Sequence, residues 1–229
     1  LLLAAWRQGW LKRWGSIGTK GFLAAAMAAL LMLSLPTAPR EDQVIFLDVG
    51  QGSSAVAKTP QGRVLVFDGG MSAATTAGYL RFSGVNRVDA IVLSHGDVDH
   101  STGLAMVLRD FKVQYLVLGQ NALQSPEVQT LLQLAQAQQT KVLVVTEEST
   151  LVFDGTHQLQ VGLYGSPSED SNAQEVIACW QSANGSCVFP GDSAQDGLEQ
   201  WLSDRRKTAA VWAVPHHGSK NSCYPGLYQ

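Results

Sequence analysis

Three absences narrow the possibilities before any motif is read. The first 40 residues contain no acidic side chain, cysteine occurs only three times in 229 residues, and no internal repeat or low-complexity linker is present. Cys179, Cys187 and Cys223 form neither a zinc ribbon nor a redox CxxC pair, so a cysteine-built centre is excluded. Cys179 and Cys187 bracket Ser-Ala-Asn-Gly, a turn signal, and could face each other across a hairpin; three ordinary small buried side chains are the favoured reading. Hydrophobic residues make up 45%, enough for a full core, and the length suits one substantial domain plus an appendage. The chain opens on Leu1 and stops at Gln229 without a terminating element, and is read as a fragment of a longer protein.

Charge is unevenly spread. Residues 1–40 carry five basic side chains (Arg7, Lys12, Arg13, Lys20, Arg40), whereas residues 41–229 carry eleven basic against nineteen acidic ones, a net charge of −8. That acidity argues against a broad basic face for duplex DNA. A pair of divalent cations would cancel about four of those charges.

Residues 22–35 (FLAAAMAALLMLSL) are apolar apart from Ser34. The run is short for a bilayer, which wants ~20 apolar residues, but it extends back to Gly15 with a Lys20 able to snorkel. A transmembrane helix is therefore expected, with a signal peptide or a buried soluble helix as competitors. Four basic residues precede the run, while Arg40 is followed at once by Glu41 and Asp42. The positive-inside rule then puts residues 41–229 outside the cytoplasm, at an inner or plasma membrane. Two parts are expected: a membrane segment with its basic flank over 1–40, and a second domain over 41–229, C-terminally incomplete.

From Val44 onward strands and helices alternate. Strands are expected at 44–49, 54–58, 64–68, 90–94, 115–118, 141–145, 158–163, 175–181, 187–190 and 211–214, and helices at 74–82, 103–109, 126–138 and 196–202. The first three strands follow one another through Gly-rich turns, so their pairing should be antiparallel, and mixed sheets with helices outside are expected.

The chemistry is concentrated after the strand at 90–94. Four metal-ligand types, His95, Asp97, Asp99 and His100, fall within six residues. Alternate residues leaving a strand end can point one way, so such a loop can present ligands to two adjacent ions. Two later strand ends complete a set. Val188-Phe-Pro-Gly-Asp192 ends on a carboxylate able to bridge two metals, and Val211-Trp-Ala-Val-Pro-His216-His217 ends on paired imidazoles. His217 is favoured as ligand. His216 is favoured as the helper that binds a phosphate oxygen or donates a proton to the leaving group. Asp97 serves as ligand or outer base. His157, inside a turn-and-strand pattern, is assigned no ligand role.

SHGDVDH followed by PGD and PHHGS resembles the metallo-β-lactamase superfamily. Phe46-Leu-Asp-Val-Gly-Gln-Gly52, Val66-Phe-Asp-Gly-Gly70 and the preceding membrane segment look like the C-terminal hydrolase domain of the ComEC competence proteins, the membrane channels for DNA import. The resemblance implies an αββα four-layer sandwich of the α/β class, with the metal site at one edge of its two sheets. It further implies that Asp192 is the bridging ligand and that Asp68 supports a ligand without binding an ion; Asp48 and Asp68 also read as turn caps. Departures are visible: Asp97 stands where many relatives carry a second histidine, and no histidine between His100 and His216 fills the usual third imidazole position. Ser53 follows Gly-Gln-Gly where an acid is common, and the family's closing strands are absent. The first two departures weaken the first metal site and favour harder ions.

The expected cofactors are two divalent ions, Mn²⁺ or Zn²⁺. The expected partners are DNA, the membrane, and the rest of the channel protein and competence machinery. Three functions remain open: a metal-dependent phosphodiesterase or nuclease on a DNA-uptake channel, a hydrolase of a cell-wall phosphoester, lactone or thioester, and a non-catalytic DNA-binding module.

Overall fold

The computed structural model describes residues 18, 20–28, 30, 39–167, 174–203, 209–222, 224 and 226. The chain divides into two units, Leu1–Thr37 and Ala38–Gln229. In the first, residues 20–28 are helical with exposed side chains. Among the described residues no helix is long and apolar enough to cross a membrane. The span expected at 22–35 lies partly outside the described residues.

The second unit is built on two sheets. In the first, strands β1 (Gln43–Phe46), β2 (Ala55–Lys58), β3 (Val64–Phe67), β4 (Arg87–Leu93), β5 (Lys112–Gly119) and β6 (Lys141–Val145) lie in sequence order. The two pairings among β1–β3 are antiparallel, and those from β3 to β6 are parallel. The second sheet has the order β11-β10-β9-β8-β7, with β7 (Ser149–Val152), β8 (Gln158–Gly165), β9 (Gln174–Ser182), β10 (Gly185–Phe189) and β11 (Val211–Trp212). All of its pairings are antiparallel except β10 with β11.

Period-two alternation sorts each strand between two cores. Leu65 and Phe67 of β3, Ala90 and Val92 of β4, Val176, Ala178 and Trp180 of β9, and Cys187 and Phe189 of β10 meet between the sheets. Phe67 stacks on Phe189 across that interface with ring centroids 3.7 Å apart. The intervening residues face outward. Val64, Val66, Ile91 and Leu93 pack on helices α1 (Thr75–Phe82), α2 (Val98–Asp110) and α3 (Pro126–Ala137). Ile177, Cys179 and Val188 pack on α4 (Gln195–Ser203). The result is four layers, helix, sheet, sheet, helix. Strands covered on both faces read as continuous apolar runs, which is why β3, β4 and β10 were legible.

Three local expectations are corrected. Helix α2 starts at Val98, five residues before the expected 103, so the His95–His100 motif straddles a strand end and a helix start. Gly103, which reads as a helix start, is interior: a Cβ there would stand 1.9 Å from the Gly69 carbonyl oxygen, so its absence lets α2 lie against the loop after β3. Strand β7 went unread because Ser-Thr-Leu-Val is short and polar at its start. Cys179 and Cys187 do not face each other. In the β9–β10 register Cys187 pairs with Trp180 and Val188 with Cys179. The two thiols therefore point to opposite faces of the sheet, one in each core, and are not joined in a disulfide. Mass spectrometry of unreduced protein should show no Cys179–Cys187 link; a linked peptide would contradict this register.

His157 is a clasp. Its Nε2 lies 2.8 Å from Asp42 Oδ1 and its Nδ1 2.9 Å from Asp154 Oδ1, and its ring stacks on Trp180. Burial lowers the imidazole pKa, but Asp42 and Asp154 outweigh it and the net shift is upward. A raised folded-state value contributes stability that is present below the ordinary pKa of about 6.5 and lost as pH rises through the folded value. His157→Ala should cost about 1–3 kcal/mol in denaturant unfolding near pH 6, because two partly buried carboxylates lose their donor and Trp180 loses its stacked ring, with metal content unchanged. Loss of metal in that variant would contradict a purely structural role.

Candidate metal centre

The site sits where several strand ends converge. His95 to His100 follow β4, Asp68 follows β3, Asp192 follows β10, and His216 and His217 follow β11. The sheets are joined at this edge by the Val176 amide, which donates to the Ser94 carbonyl at 3.0 Å, and within the second sheet the His216 amide donates to the Gly191 carbonyl at 3.0 Å. Among the described residues, four non-glycine residues have positive φ, and three of them belong here: Asp68 (55°), His216 (47°) and His217 (51°). Such conformations are costly for residues with a Cβ and concentrate where side chains must be aimed.

His100 is fully buried and held from one side. Its Nδ1 lies 2.8 Å from Asp68 Oδ2, and Asp68 in turn accepts the Ser94 amide at 2.8 Å and the Ser94 hydroxyl at 2.9 Å. Asp68 therefore does more than cap a turn: it fixes the ring and leaves only Nε2 for another partner. Asp48, by contrast, caps a turn by accepting the Gly50 amide at 3.2 Å. His95, 1% exposed, is held in the same manner. Its Nδ1 lies 3.0 Å from Ser94 Oγ and 3.3 Å from Glu175 Oε2, and its Nε2 lies 3.6 Å from Asp97 Oδ2.

Asp192 stands between the imidazoles. Its Oδ1 is 3.2 Å from His100 Nε2 and 3.5 Å from His217 Nε2, and its Oδ2 is 3.7 Å from His216 Nε2. Asp99 Oδ2 lies 3.7 Å from His217 Nε2 and accepts the Gln51 side-chain amide at 3.4 Å. Two groups have ligand atoms close enough to surround one ion each: His95 with His100 and Asp192, and Asp99 with His100 and His217. His217, not His216, completes the second group. His157 lies outside both.

The fit to cations is testable on three atoms. His95 Nε2, His100 Nε2 and Asp192 Oδ1 are buried without a hydrogen-bond partner, and the three residues each bring one ligand atom within 4.8 Å of the others. Buried polar atoms are normally satisfied. Divalent ions coordinated by imidazole nitrogen and carboxylate oxygen would satisfy these atoms.

Electrostatics agrees. Burial lowers the His95 pKa, but Glu175, Asp97 and Asp68 outweigh it and push the imidazole up to about 11. For His100, burial is likewise outweighed by Asp68 and Asp192, and the value rises to about 10. Burial would raise Asp192, but His100, His217 and His95 hold its carboxyl below the usual range. The pocket is thus strongly anionic and calls for positive charge.

Glu175 is the site residue that sequence reasoning missed. It is fully buried, and burial pushes its carboxyl up to about 7 against the pull of His95. The only signal was one acid opening an otherwise apolar strand, Glu-Val-Ile-Ala-Cys-Trp.

Comparison with known proteins agrees with this geometry. A family model described as the metallo-beta-lactamase superfamily matches residues 47–225. The chain is 26% identical over 213 residues to ComE operon protein 3 of Bacillus subtilis (strain 168), covering 84% of this chain and 27% of that protein. It is 36% identical over 110 residues to competence protein ComA of Neisseria gonorrhoeae, covering 47% of this chain and 15% of that one. It spans about a quarter of the first relative's length and less of the second's. Among solved structures, Zn²⁺-bound PqqB from Methylobacterium extorquens aligns with a TM-score of 0.54 at 14% identity, covering 70% of this chain and 58% of that one. CmlA, a diiron beta-hydroxylase from Streptomyces venezuelae, aligns at 0.52 and 16%, covering 76% of this chain and 34% of that one. These structures share the fold.

Proposed function

Because the chain belongs to the metallo-beta-lactamase superfamily, we propose that its second unit is the two-metal phosphodiesterase domain of a competence protein, cleaving DNA outside the cytoplasm. The observation that carries this reading is that His95 Nε2, His100 Nε2 and Asp192 Oδ1 are buried without hydrogen-bond partners in residues that fall into candidate metal-holding groups.

The ligand division follows from the hydrogen bonds. His100 Nδ1 is taken by Asp68, so His100 offers one nitrogen and serves one ion. It cannot be shared by both groups; the residue able to join them is Asp192, with two oxygens. His95, Asp97 and Asp192 would then hold one ion, and Asp99, His100, Asp192 and His217 the other. Two such ions supply Lewis acidity and a nucleophile at neutral pH. The first set is richer in oxygen than in nitrogen, which suits Mn²⁺ beside Zn²⁺. His216, partly exposed with Nε2 3.7 Å from Asp192 Oδ2, would donate a proton to the leaving oxygen. The names of the two competence relatives and the Zn²⁺ and diiron centres of the fold neighbours support the assignment.

The membrane span at 22–35 and the extracytoplasmic placement belong to the same proposal and rest on the basic flank of residues 1–20. Labelled single- and double-stranded DNA incubated with the purified protein and Mn²⁺, Mg²⁺ or Zn²⁺ tests the activity. Cleavage above that of Asp192→Ala is expected. Metal-loaded protein that cuts neither strand form would overturn the nuclease reading and leave another ester or a binding role.

A further inference from the structure

The two histidines deepest in the centre are held by two different carboxylates from two different sheets. Asp68, after β3, fixes His100 Nδ1; Glu175, opening β9, faces His95 Nδ1. Glu175 has a second contact that Asp68 lacks. The same oxygen, Oε2, accepts the Asp192 amide at 2.9 Å. One buried atom thus touches both the loop that presents His95 and the loop that presents Asp192.

We propose that Glu175 is a positioning residue that sets His95 and Asp192 relative to each other, so that a divalent cation meets His95 through Nε2 and Asp192 through its carboxylate. The inference rests on the two-metal reading above. A carboxylate accepting the Nδ1 hydrogen fixes the ring's tautomer and orientation and leaves Nε2 as the ligand atom. The surroundings are shaped for this contact. Gly191, with φ +60°, sits against the carboxylate; a Cβ there would stand 2.3 Å from Glu175 Oε2 and 2.6 Å from Ser94 Cβ. Any side chain at 191 would push Glu175 off both partners. Glu175 Oε1 is itself buried without a hydrogen-bond partner, so the carboxylate is held there by its Oε2 contacts and not by a solvating shell. The group that approaches His95 from the second sheet is an acid that faces the histidine.

The test compares Glu175→Leu and Glu175→Gln with the parent in the full chain, using Zn²⁺ and Mn²⁺ as probes without DNA. Leucine removes the acceptor, whereas glutamine keeps a carbonyl oxygen for the His95 and Asp192 hydrogens. Competition with a chromophoric chelator should show Zn²⁺ affinity falling about 10–100-fold in Glu175→Leu, with most of it restored in Glu175→Gln. Nitrogen NMR of Zn²⁺-loaded parent and Gln protein should show His95 protonated at Nδ1. A role in folding alone would lower the melting temperature without this split in affinity or tautomer. Parent protein that binds Zn²⁺ while Glu175→Leu, folded by circular dichroism, binds it equally well would overturn the inference alone. His95 bound through Nδ1 would do the same. Parent protein that binds neither ion would bring down the two-metal reading with it, and metal binding without DNA cleavage would leave the inference standing.

Discussion

Replacing Asp192 by alanine is expected to empty both metal positions and abolish hydrolysis. The carboxylate lies against three imidazoles, with Oδ1 3.2 Å from His100 and 3.5 Å from His217 and Oδ2 3.7 Å from His216. In the proposed division its two oxygens serve both ligand sets, because His100 has its second nitrogen committed to Asp68. Its loss leaves two deeply buried imidazoles and the divalent charge without a shared counter-ion, and breaking a buried charged cluster on one side costs several kcal/mol, about 3–5 in measured pairs. The deficit should exceed the roughly 10–100-fold loss expected from Asp68→Asn, which touches the ions only through His100. Elemental analysis of metal per chain, with Mn²⁺-dependent cleavage of labelled DNA, reads both quantities. Cleavage that survives Asp192→Ala with full metal content would sink the two-metal mechanism.

How far the sequence carried is visible residue by residue. His95, Asp97, Asp99 and His100 were legible because four ligand types within six positions after a buried strand are rare by chance, and the structure places them together at one edge. Asp192, His216 and His217 were legible only in combination, each being an ordinary strand ending. The partners that aim them were harder to read. Asp68 and His100 are 32 residues apart, and Glu175 and His95 are 80 apart. Contacts of that range depend on how β3, β4 and β9 are ordered, which periodicity along one strand does not contain. His157 shows the converse. It stands in neither candidate ligand group, yet its grip on Asp42, 115 residues away, left no local trace.

The centre and the sandwich are therefore one construction. The same alternation that sends Val176 and Ala178 into the space between the sheets and Ile177 outward places Glu175 on β9 beside the β10 end that carries Asp192. A register slip of one residue in β9 would reverse every one of these faces at once. The ligand geometry inherits its stability from the inter-sheet core, including the Phe67–Phe189 stack beneath it.

Metal loading should weaken steeply as pH falls. Carboxylate neighbours overcome burial to raise His95 to about 11 and His100 to about 10, so both imidazoles of the stripped fold hold their protons across the neutral range. Cations entering at the two Nε2 atoms must displace those protons, which couples binding to proton release. With two protons released, apparent affinity changes by about 100-fold per pH unit, or on the order of 10⁴ between pH 8 and pH 6. The stripped protein itself behaves in the opposite sense. Raised imidazole values contribute stability that is fully present below the ordinary pKa of about 6.5 and lost as pH rises through the folded values. The melting-temperature gap between Zn²⁺-loaded and chelator-stripped protein should therefore widen as pH rises from 6 to 8. Titration calorimetry in two buffers of different ionisation enthalpy counts the protons directly. Identical heats in the two buffers would mean that none is released, and the proposed entry of the ions at His95 and His100 would fall.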